Sequence, residues 1–464
     1  MAVLVLVFLG FGVLIGRAAR DSVQQAALAD AGVPVKVIVT TRAPSPAAAA
    51  PVPQGEEAPP AEQAPTPEAP APATSGHAGG GSSRASGGGS APAAKRSPAP
   101  APVPPPKTLP AIKHVFLVVL SDQPYAAVFG PESKAAYLVR QLEPKGALLS
   151  QYDAVAHQEL PDGVALISGQ GPTPQTAADC PSYTPIEPAG AGSDGQVLGT
   201  GCVYPASAPT LPGQLEARHL RWRAYLEGVA EGPGSVPACS HPALGQADPT
   251  APAGTEAGAS APPASGAGPY ATYRNPFAYF QSLTASGACA RSEAGIGRLE
   301  RDLAHPAKAP SLSYIVPGLC HDAAPTPCAP GAAAGPAGTE SFLRRVVPEI
   351  LASRAYRQNG LLVITTDEAP AGGEFGDSSS CCGQPPFPNL GAGGIGPTGR
   401  PLGGGAVGAL LLSPFIKGPA SSEEAYNHFS LLATIEDLFG VGRLGYAGLS
   451  AVTPLAPSIF NALG

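Results

Sequence analysis

The chain is 464 residues long; glycine and proline contribute 58 residues each, whereas charged residues make up only 13%. This glycine and proline content exceeds that of an average globular domain, so part of the chain must be linker rather than packed core. The net charge of -7 is spread without a long basic run, which excludes the electrostatic footprint of a nucleic-acid-binding protein and of a polybasic lipid-binding patch. We predict no nucleic-acid partner.

The first residues, "MAVLVLVFLGFGVLIG", are almost wholly apolar and are followed by Arg17 and Arg20. The run is short for a full membrane span but long for the core of a signal peptide. Because the arginines leave no convincing cleavage site, we predict an uncleaved anchor or signal-anchor over residues 1–20; cleavage would make the protein secreted. These arginines alone would keep the rest of the chain in the cytoplasm, so we expect a basic leader before Met1.

Residues 21–108 are dominated by proline, alanine, glycine and serine, as in "GGGSSRASGGGSAPAAKRSPAPAPVPPP". A segment of this composition cannot bury a core, so we predict a disordered stalk between the anchor and a single domain at residues 109–464. Anchor and stalk together predict a domain held at some distance from the cell membrane, and the cysteines described next favour the extracellular side.

The chain has an even number of cysteines, and none of them forms a CxxC pair. This pattern favours disulfides in an oxidising compartment over a thiolate metal site. Sequence proximity predicts three bridges: Cys180 with Cys202, Cys239 with Cys289, and Cys320 with Cys328. The adjacent Cys381 and Cys382 form either a vicinal bridge or a free pair, and the connectivity stays open at this stage.

Apolar runs alternate with helical patterns after residue 109. "IKHVFLVVL", at residues 112–120, is typical of a strand buried in a parallel sheet, and "SLSYIVP", "GLLVITT" and "VGALLLS" repeat the signal. Helical periodicity predicts helices over residues 211–229, 340–353 and 427–440. The sequence therefore predicts an α/β domain with a mostly parallel central sheet and helices on both faces.

Acidic residues follow three of the predicted strands. Asp122 comes after the first, His321 and Asp322 after the second, and Asp367 with Glu368 after the third. Ligands of such sheets bind beyond the carboxyl ends of the strands. Carboxylates that converge there suit a hard or borderline divalent metal ion.

In chain order, the motifs "HVFLVVL", "AVAHQELPDGVALISG", "SLSYIVPGLCHD", "LLVITTDE" and "NHFSLLATIEDLFG" resemble those of bacterial phosphoesterases of the acid phosphatase and phospholipase C type, within the alkaline-phosphatase-like superfamily. The resemblance covers nearly all of residues 109–464 and implies an alkaline-phosphatase-like fold. It also implies a divalent metal ion (Mg, Mn, Ca, Zn or Fe) that holds the phosphoryl oxygens while a serine or threonine attacks phosphorus.

By this resemblance Asp367 and Glu368 match the acidic pair of the family, and His428 matches the histidine before its closing helix. With Asp122, these residues are the predicted metal ligands. "YRNPFAYF" matches a spacer motif, and we assign its Tyr273 and Arg274, like Phe277, to packing.

The chain departs from the family pattern at two places. The family usually has Glu-Asn after the first strand, where this chain has Ser121 and Asp122, and its turn usually reads His-Pro-Ser-Leu-Pro-Asn, where this chain begins His157-Gln158-Glu159. Glu159 therefore holds the position of the nucleophile. It has three open roles: attack on phosphorus, general base for a metal-bound water, or a further ligand. We predict Glu159 and His157 as catalytic, and Ser121 is the nearest replacement hydroxyl.

Two main hypotheses follow. The first is a cell-surface, metal-dependent hydrolase of a small phosphate ester or phospholipid-like substrate. The alternative is a pseudoenzyme that retains the fold and a metal or ligand site without turnover, and a structural envelope protein is a weaker third option. Head group, monoester or diester preference, metal identity and oligomeric state are left open by the sequence.

Overall fold

The computed structural model describes residues 108–252, 269–324, 331–396 and 401–462. The predicted anchor, the stalk up to residue 107 and Cys328 lie outside the described residues. Among the helices of the described part, none is long and apolar enough to cross a membrane.

Twelve strands and nine α-helices make up the regular structure of the described residues. The strands are β1 His114–Leu120, β2 Ala147–Leu149, β3 Tyr152–Asp153, β4 Glu187–Ala191, β5 Val197–Thr200, β6 Trp222–Leu226, β7 Glu293–Ala294, β8 Leu312–Val316, β9 Gly360–Thr366, β10 Ala409–Leu412, β11 Ala420–Ser422 and β12 Tyr426–Asn427. The helices are α1 Tyr125–Val128, α2 Glu159–Ser168, α3 Leu211–Ala217, α4 Gln281–Thr284, α5 Ala288–Ser292, α6 Gly297–Leu303, α7 Glu340–Ala352, α8 Arg354–Asn359 and α9 His428–Phe439.

Eight strands form the central sheet, in the order β11-β2-β10-β9-β1-β8-β6-β7. Each neighbouring pair is parallel except that β10 runs antiparallel to both β9 and β2. The predicted α/β class and mostly parallel sheet are thus confirmed. The continuous apolar character of β1 and β9 follows from this position, because central strands of such a sheet are buried on both faces.

The two faces of the sheet carry separate hydrophobic clusters. Val115 and Leu117 of β1 belong to one cluster with residues of α2, α3 and α9, while Phe116 and Val118 belong to the other with residues of α6, α7 and α8. Successive side chains of a strand point to opposite faces, so a single apolar run supplies both cores.

The helix predicted over residues 427–440 is confirmed as α9, and its capping residues explain why the sequence predicts it. The Asn427 side chain accepts a hydrogen bond from the backbone N–H of Ser430 and completes a capping box, and Gly440 ends the helix with a φ of 64°. These start and stop signals are local in the sequence, so the bounds of the helix follow from it.

The predicted helix over residues 211–229 is wrong in its second half. Helix α3 ends at Ala217, His219 has a φ of 57°, and Trp222–Leu226 forms β6 between β8 and β7. A short apolar run fits a buried strand as well as a helix, and pairing with β8 decides between them here.

Three disulfides lie wholly within the described residues. Cys180–Cys202 and Cys239–Cys289 confirm two predicted bridges, and Cys381–Cys382 settles the open alternative as a vicinal bridge. Cys320 is also disulfide-bonded.

Glu436, on α9, is buried, and burial raises the pKa of its carboxyl from 4.5 to about 8. The folded protein therefore holds this proton more tightly than the unfolded chain does. The contribution of the Glu436 proton to the stability of the folded protein is complete below pH 4.5 and is lost as the pH rises to about 8.

We expect the thermal stability of the wild type to fall between about pH 5 and pH 8 relative to that of Glu436→Gln, measured by thermal unfolding. Asp437→Asn, at an exposed position of the same helix, is the control; equal pH profiles for Glu436→Gln and the wild type would contradict this assignment.

Candidate active site

The strands β1 and β9 end in register, with Leu120 beside Thr366. The residues that follow them therefore meet at one edge of the sheet. The backbone N–H of Asp122 donates to Oδ1 of Asp367 over 3.0 Å, and the backbone N–H of Gln123 donates to the carbonyl of Glu368 over 3.0 Å. The structure thus brings these three predicted ligands together.

The N-terminus of α2 packs against the same edge. The backbone N–H of Gln158, the residue before Glu159, donates to Oε2 of Glu368 over 2.7 Å. The N–H of Leu160, the second residue of α2, donates to Oδ1 of Asp179 over 3.0 Å. Acidic side chains thus satisfy amides at this helix start that have no partner within the helix, where negative charge is also stabilised by the helix dipole.

Three non-glycine residues at this edge have positive φ angles: Asp122 at 47°, Gln158 at 74° and Asp179 at 52°. Such conformations are costly for residues with a Cβ atom and tend to cluster at functional sites. Asp122 directly follows Ser121, and Gln158 directly precedes Glu159. The backbone is therefore strained next to both of these residues.

Glu159 is held by two partners. The Ser121 hydroxyl donates to Oε1 of Glu159, and Nε of Arg274 lies 2.9 Å from Oε2. Arg274 also contacts Asp322 Oδ2 at 2.5 Å and donates to the Pro317 carbonyl over 3.1 Å. The assignment of Arg274 to packing is therefore wrong: it is a buried ion-pair partner. The signal in the sequence was a lone arginine within the aromatic motif "YRNPFAYF" of a chain poor in charge.

The electrostatics of the site are dominated by buried carboxyls. Burial and the neighbouring carboxylates, Glu159 for Asp367 and Asp122 for Glu368, raise the pKa of both acids well above their usual range. Burial raises the pKa of Asp322 to about 7 although Arg274 opposes it. Burial lowers the pKa of Arg274, but the surrounding carboxylates outweigh it and the net direction is upward. Arg274 forms ion pairs with Glu159 and Asp322, so it neutralises only part of the negative charge at this site.

His428 is fully buried at the start of α9. Its Nε2 lies 2.8 Å from the carbonyl oxygen of Asp367, and its Nδ1 lies 2.9 Å from the Tyr152 hydroxyl. A carbonyl can only accept, so Nε2 donates and Nδ1 accepts. Burial lowers the pKa of His428 to about 4, which keeps the ring neutral. Both nitrogens are therefore engaged by protein atoms, and the role of His428 as a metal ligand stays a prediction.

His157 lies beside Glu368. Its Nδ1 is 3.1 Å from the Ala369 carbonyl and 3.4 Å from Oε2 of Glu368, and its Nε2 is 2.8 Å from the Ser378 hydroxyl. Burial lowers the pKa of this histidine. Of the acidic pair at the end of β9, the ring therefore contacts Glu368.

Asp322 and His321, the two site residues predicted after β8, lie in different surroundings. Asp322 joins the site through Arg274, and its carbonyl accepts the backbone N–H of Ser121 over 2.6 Å. His321 instead pairs with Glu227 at 2.8 Å, and a third of its side chain is exposed.

A metal ion is compatible with the chemistry of this donor set. The candidate ligands are carboxylate oxygens, which hard divalent cations prefer, and Oδ2 of the buried Asp162 has no hydrogen-bond partner. Among described residues, candidate ligand atoms of three groups come within 4.8 Å of one another only at Cys239, Cys289 and Glu293. Those cysteines form a disulfide and offer no thiolate. The site carboxylates are therefore spaced more widely than in a closed coordination shell.

Removal of Arg274 would leave the buried Asp322 and the partly buried Glu159 without their cation. We expect Arg274→Met to lower the free energy of unfolding by about 3–5 kcal/mol, measured by chemical denaturation. Arg443→Met is the matched control, because Arg443 pairs with Asp437 at an exposed position and such pairs contribute at most about 1 kcal/mol. Equal losses in the two variants would contradict the assigned role.

The chain matches the Phosphoesterase family over residues 119–442. No curated protein matches it in sequence. Solved structures with a similar fold include a protein of the alkaline phosphatase superfamily from Vibrio parahaemolyticus, at 12% identity over 76% of this chain and 72% of that chain with a TM-score of 0.39. Another is a phosphonate monoester hydrolase from Silicibacter pomeroyi, at 10% identity over 76% of this chain and 77% of that chain with a TM-score of 0.40.

These structural similarities are remote, so the assignment depends on the family match. That match spans most of the chain, includes all the predicted site residues from Asp122 to His428, and confirms the resemblance predicted from the motifs. The chain therefore belongs to the Phosphoesterase family of ester hydrolases.

Proposed function

We propose that this protein is a metal-dependent hydrolase of phosphate esters that acts at the cell surface on a small phosphate ester or phospholipid-like substrate. The observation that supports the proposal most is the convergence of Asp122, Glu159, Asp367 and Glu368 at one buried edge of the sheet. Buried carboxylates in such proximity repel one another, and bound cations or protons relieve that repulsion.

In this proposal Asp122, Asp367 and Glu368 hold the cation, with His428 as the fourth predicted ligand. A bound divalent ion polarises the phosphoryl group and lowers the pKa of water in its shell. Arg274 supplies positive charge next to this group and fixes Glu159, while His157 keeps Glu368 oriented. Glu159 accepts a proton from the attacking group.

The pseudoenzyme alternative has one specific observation in its favour. Residue 159 lacks a hydroxyl. Its carboxylate forms an ion pair with Arg274 and accepts a hydrogen bond from the Ser121 hydroxyl, and both of these groups could otherwise contact an anionic substrate. In that case the site would bind a cation without turnover.

The cell-surface location is proposed from the anchor and stalk predicted for residues 1–108, and the disulfides of the folded domain are compatible with an oxidising compartment. The catalytic domain would then be residues 109–464, with an N-terminal anchor to the membrane and no nucleic-acid partner.

Activity is tested with the full-length chain and an aryl phosphate in the presence of Mg, Mn, Ca, Zn or Fe. We expect turnover that depends on the metal and falls at least about 100-fold in Asp367→Asn, because loss of this carboxylate weakens the cation site by several kcal/mol. Asp437→Asn, a carboxylate exposed on α9, is the control and should retain full activity.

Cation binding is measured separately, as the rise in melting temperature with each metal. A rise that Asp367→Asn abolishes, together with no turnover of any ester, would select the pseudoenzyme. Turnover that survives chelation and the Asp367→Asn change would contradict the metal-dependent mechanism.

A further inference from the structure

The hydroxyl of Ser121 contacts the carboxylate of Glu159, the residue at the position where the sequence resemblance predicts a nucleophile. Ser121 is fully buried, and its Oγ donates a hydrogen bond to Oε1 of Glu159. A hydroxyl bonded to a carboxylate that a third group orients is the general arrangement of an activated nucleophile and its base. Arg274 is that third group, since its Nε lies 2.9 Å from the other oxygen of Glu159.

The Ser121 backbone is held at the centre of the site. Its N–H donates to the Asp322 carbonyl over 2.6 Å, and the next N–H, that of Asp122, donates to the Asp367 carboxylate over 3.0 Å. Ser121 therefore lies between the loop that carries Asp322 and the acidic pair after β9. The hydroxyl is thus held against Glu159 on the residue that directly precedes Asp122, the first of the proposed cation ligands.

We propose that Ser121 is the nucleophile of this protein and that Glu159 is its general base, an inference that rests on the proposed phosphoesterase function. In the first step, Ser121 Oγ forms a bond to phosphorus, its proton passes to Glu159, and the bond from phosphorus to the leaving oxygen breaks. An aryl leaving group departs as the phenolate. In the second step water attacks phosphorus, the bond from phosphorus to Oγ breaks, and Ser121 recovers its proton from Glu159, which leaves dihydrogen phosphate.

The test traps the covalent intermediate. The full-length chain is mixed with nitrophenyl phosphate and the most activating metal, quenched in acid, digested and examined by mass spectrometry. We expect phosphate on Ser121 that resists hydroxylamine, because a phosphoserine is stable to hydroxylamine, unlike an acyl phosphate on Glu159. Ser121→Ala should lose the label and at least ~100-fold of the turnover. Ser313→Ala, which removes the hydroxyl of another fully buried serine, on β8, is the control and should keep both.

Two further measurements separate this mechanism from its rivals. Glu159→Gln cannot take the proton, so it should slow phosphorylation and leave Ser121 as the labelled residue. The stereochemical course at a chirally labelled phosphorus should be retention, because two successive displacements restore the configuration, whereas direct attack by water inverts it.

Inversion, a hydroxylamine-sensitive label on Glu159, or full turnover by Ser121→Ala would each overturn the assignment of Ser121 while the phosphoesterase function stands. Absence of turnover by the wild type with every metal tested would instead overturn the proposed function, and the assignment of Ser121 with it.

Discussion

The site depends on the ion pairs that buried Arg274 makes with two carboxylates, the buried Asp322 and the partly buried Glu159. Glu159 belongs to the first turn of α2 and Asp322 to the loop after β8, so one guanidinium joins a helix on one face of the sheet to the edge of the sheet itself. The buried Asp322 carboxylate cannot be charged without such a partner, except at a cost of several kcal/mol. Ser121 is held beside these ion pairs, because its hydroxyl donates to the Glu159 carboxylate and its backbone N–H donates to the backbone carbonyl of Asp322.

The general fold could be predicted from the sequence because its signals are local or periodic. The runs that form β1, β8 and β9 are apolar over their whole length, and the start and end of α9 are marked by Asn427 and Gly440. The strand β6 could not be predicted in this way. Its residues fit a helix or a strand, and only the pairing of β6 with β8, far away in sequence, selects the strand.

The candidate site likewise has some features that the sequence predicts and others that it does not. Acidic residues after adjacent parallel strands must meet at one edge, so the proximity of Asp122, Asp367 and Glu368 could be inferred before the structure was known. The partners of Arg274 could not, because its motif lies between β6 and β7 and no sequence spacing relates it to Glu159. The contact between Ser121 and Glu159 likewise depends on how α2 packs against the end of β1.

The one reversed strand of the sheet alters which loops surround the carboxylates. Because β10 is antiparallel to β9, the segment that enters β10, rather than the one that leaves it, reaches the edge with the acidic pair. There the backbone N–H of Ala369 donates to the Gly404 carbonyl over 2.7 Å, and that of Ala406 donates to Asp377 over 2.9 Å. This entering segment is itself anchored, because the backbone N–H of Ala154 donates to the Gly405 carbonyl over 2.9 Å. A substitution in this segment therefore acts directly on the loop that follows the acidic pair, although the segment lies far from that pair in the sequence.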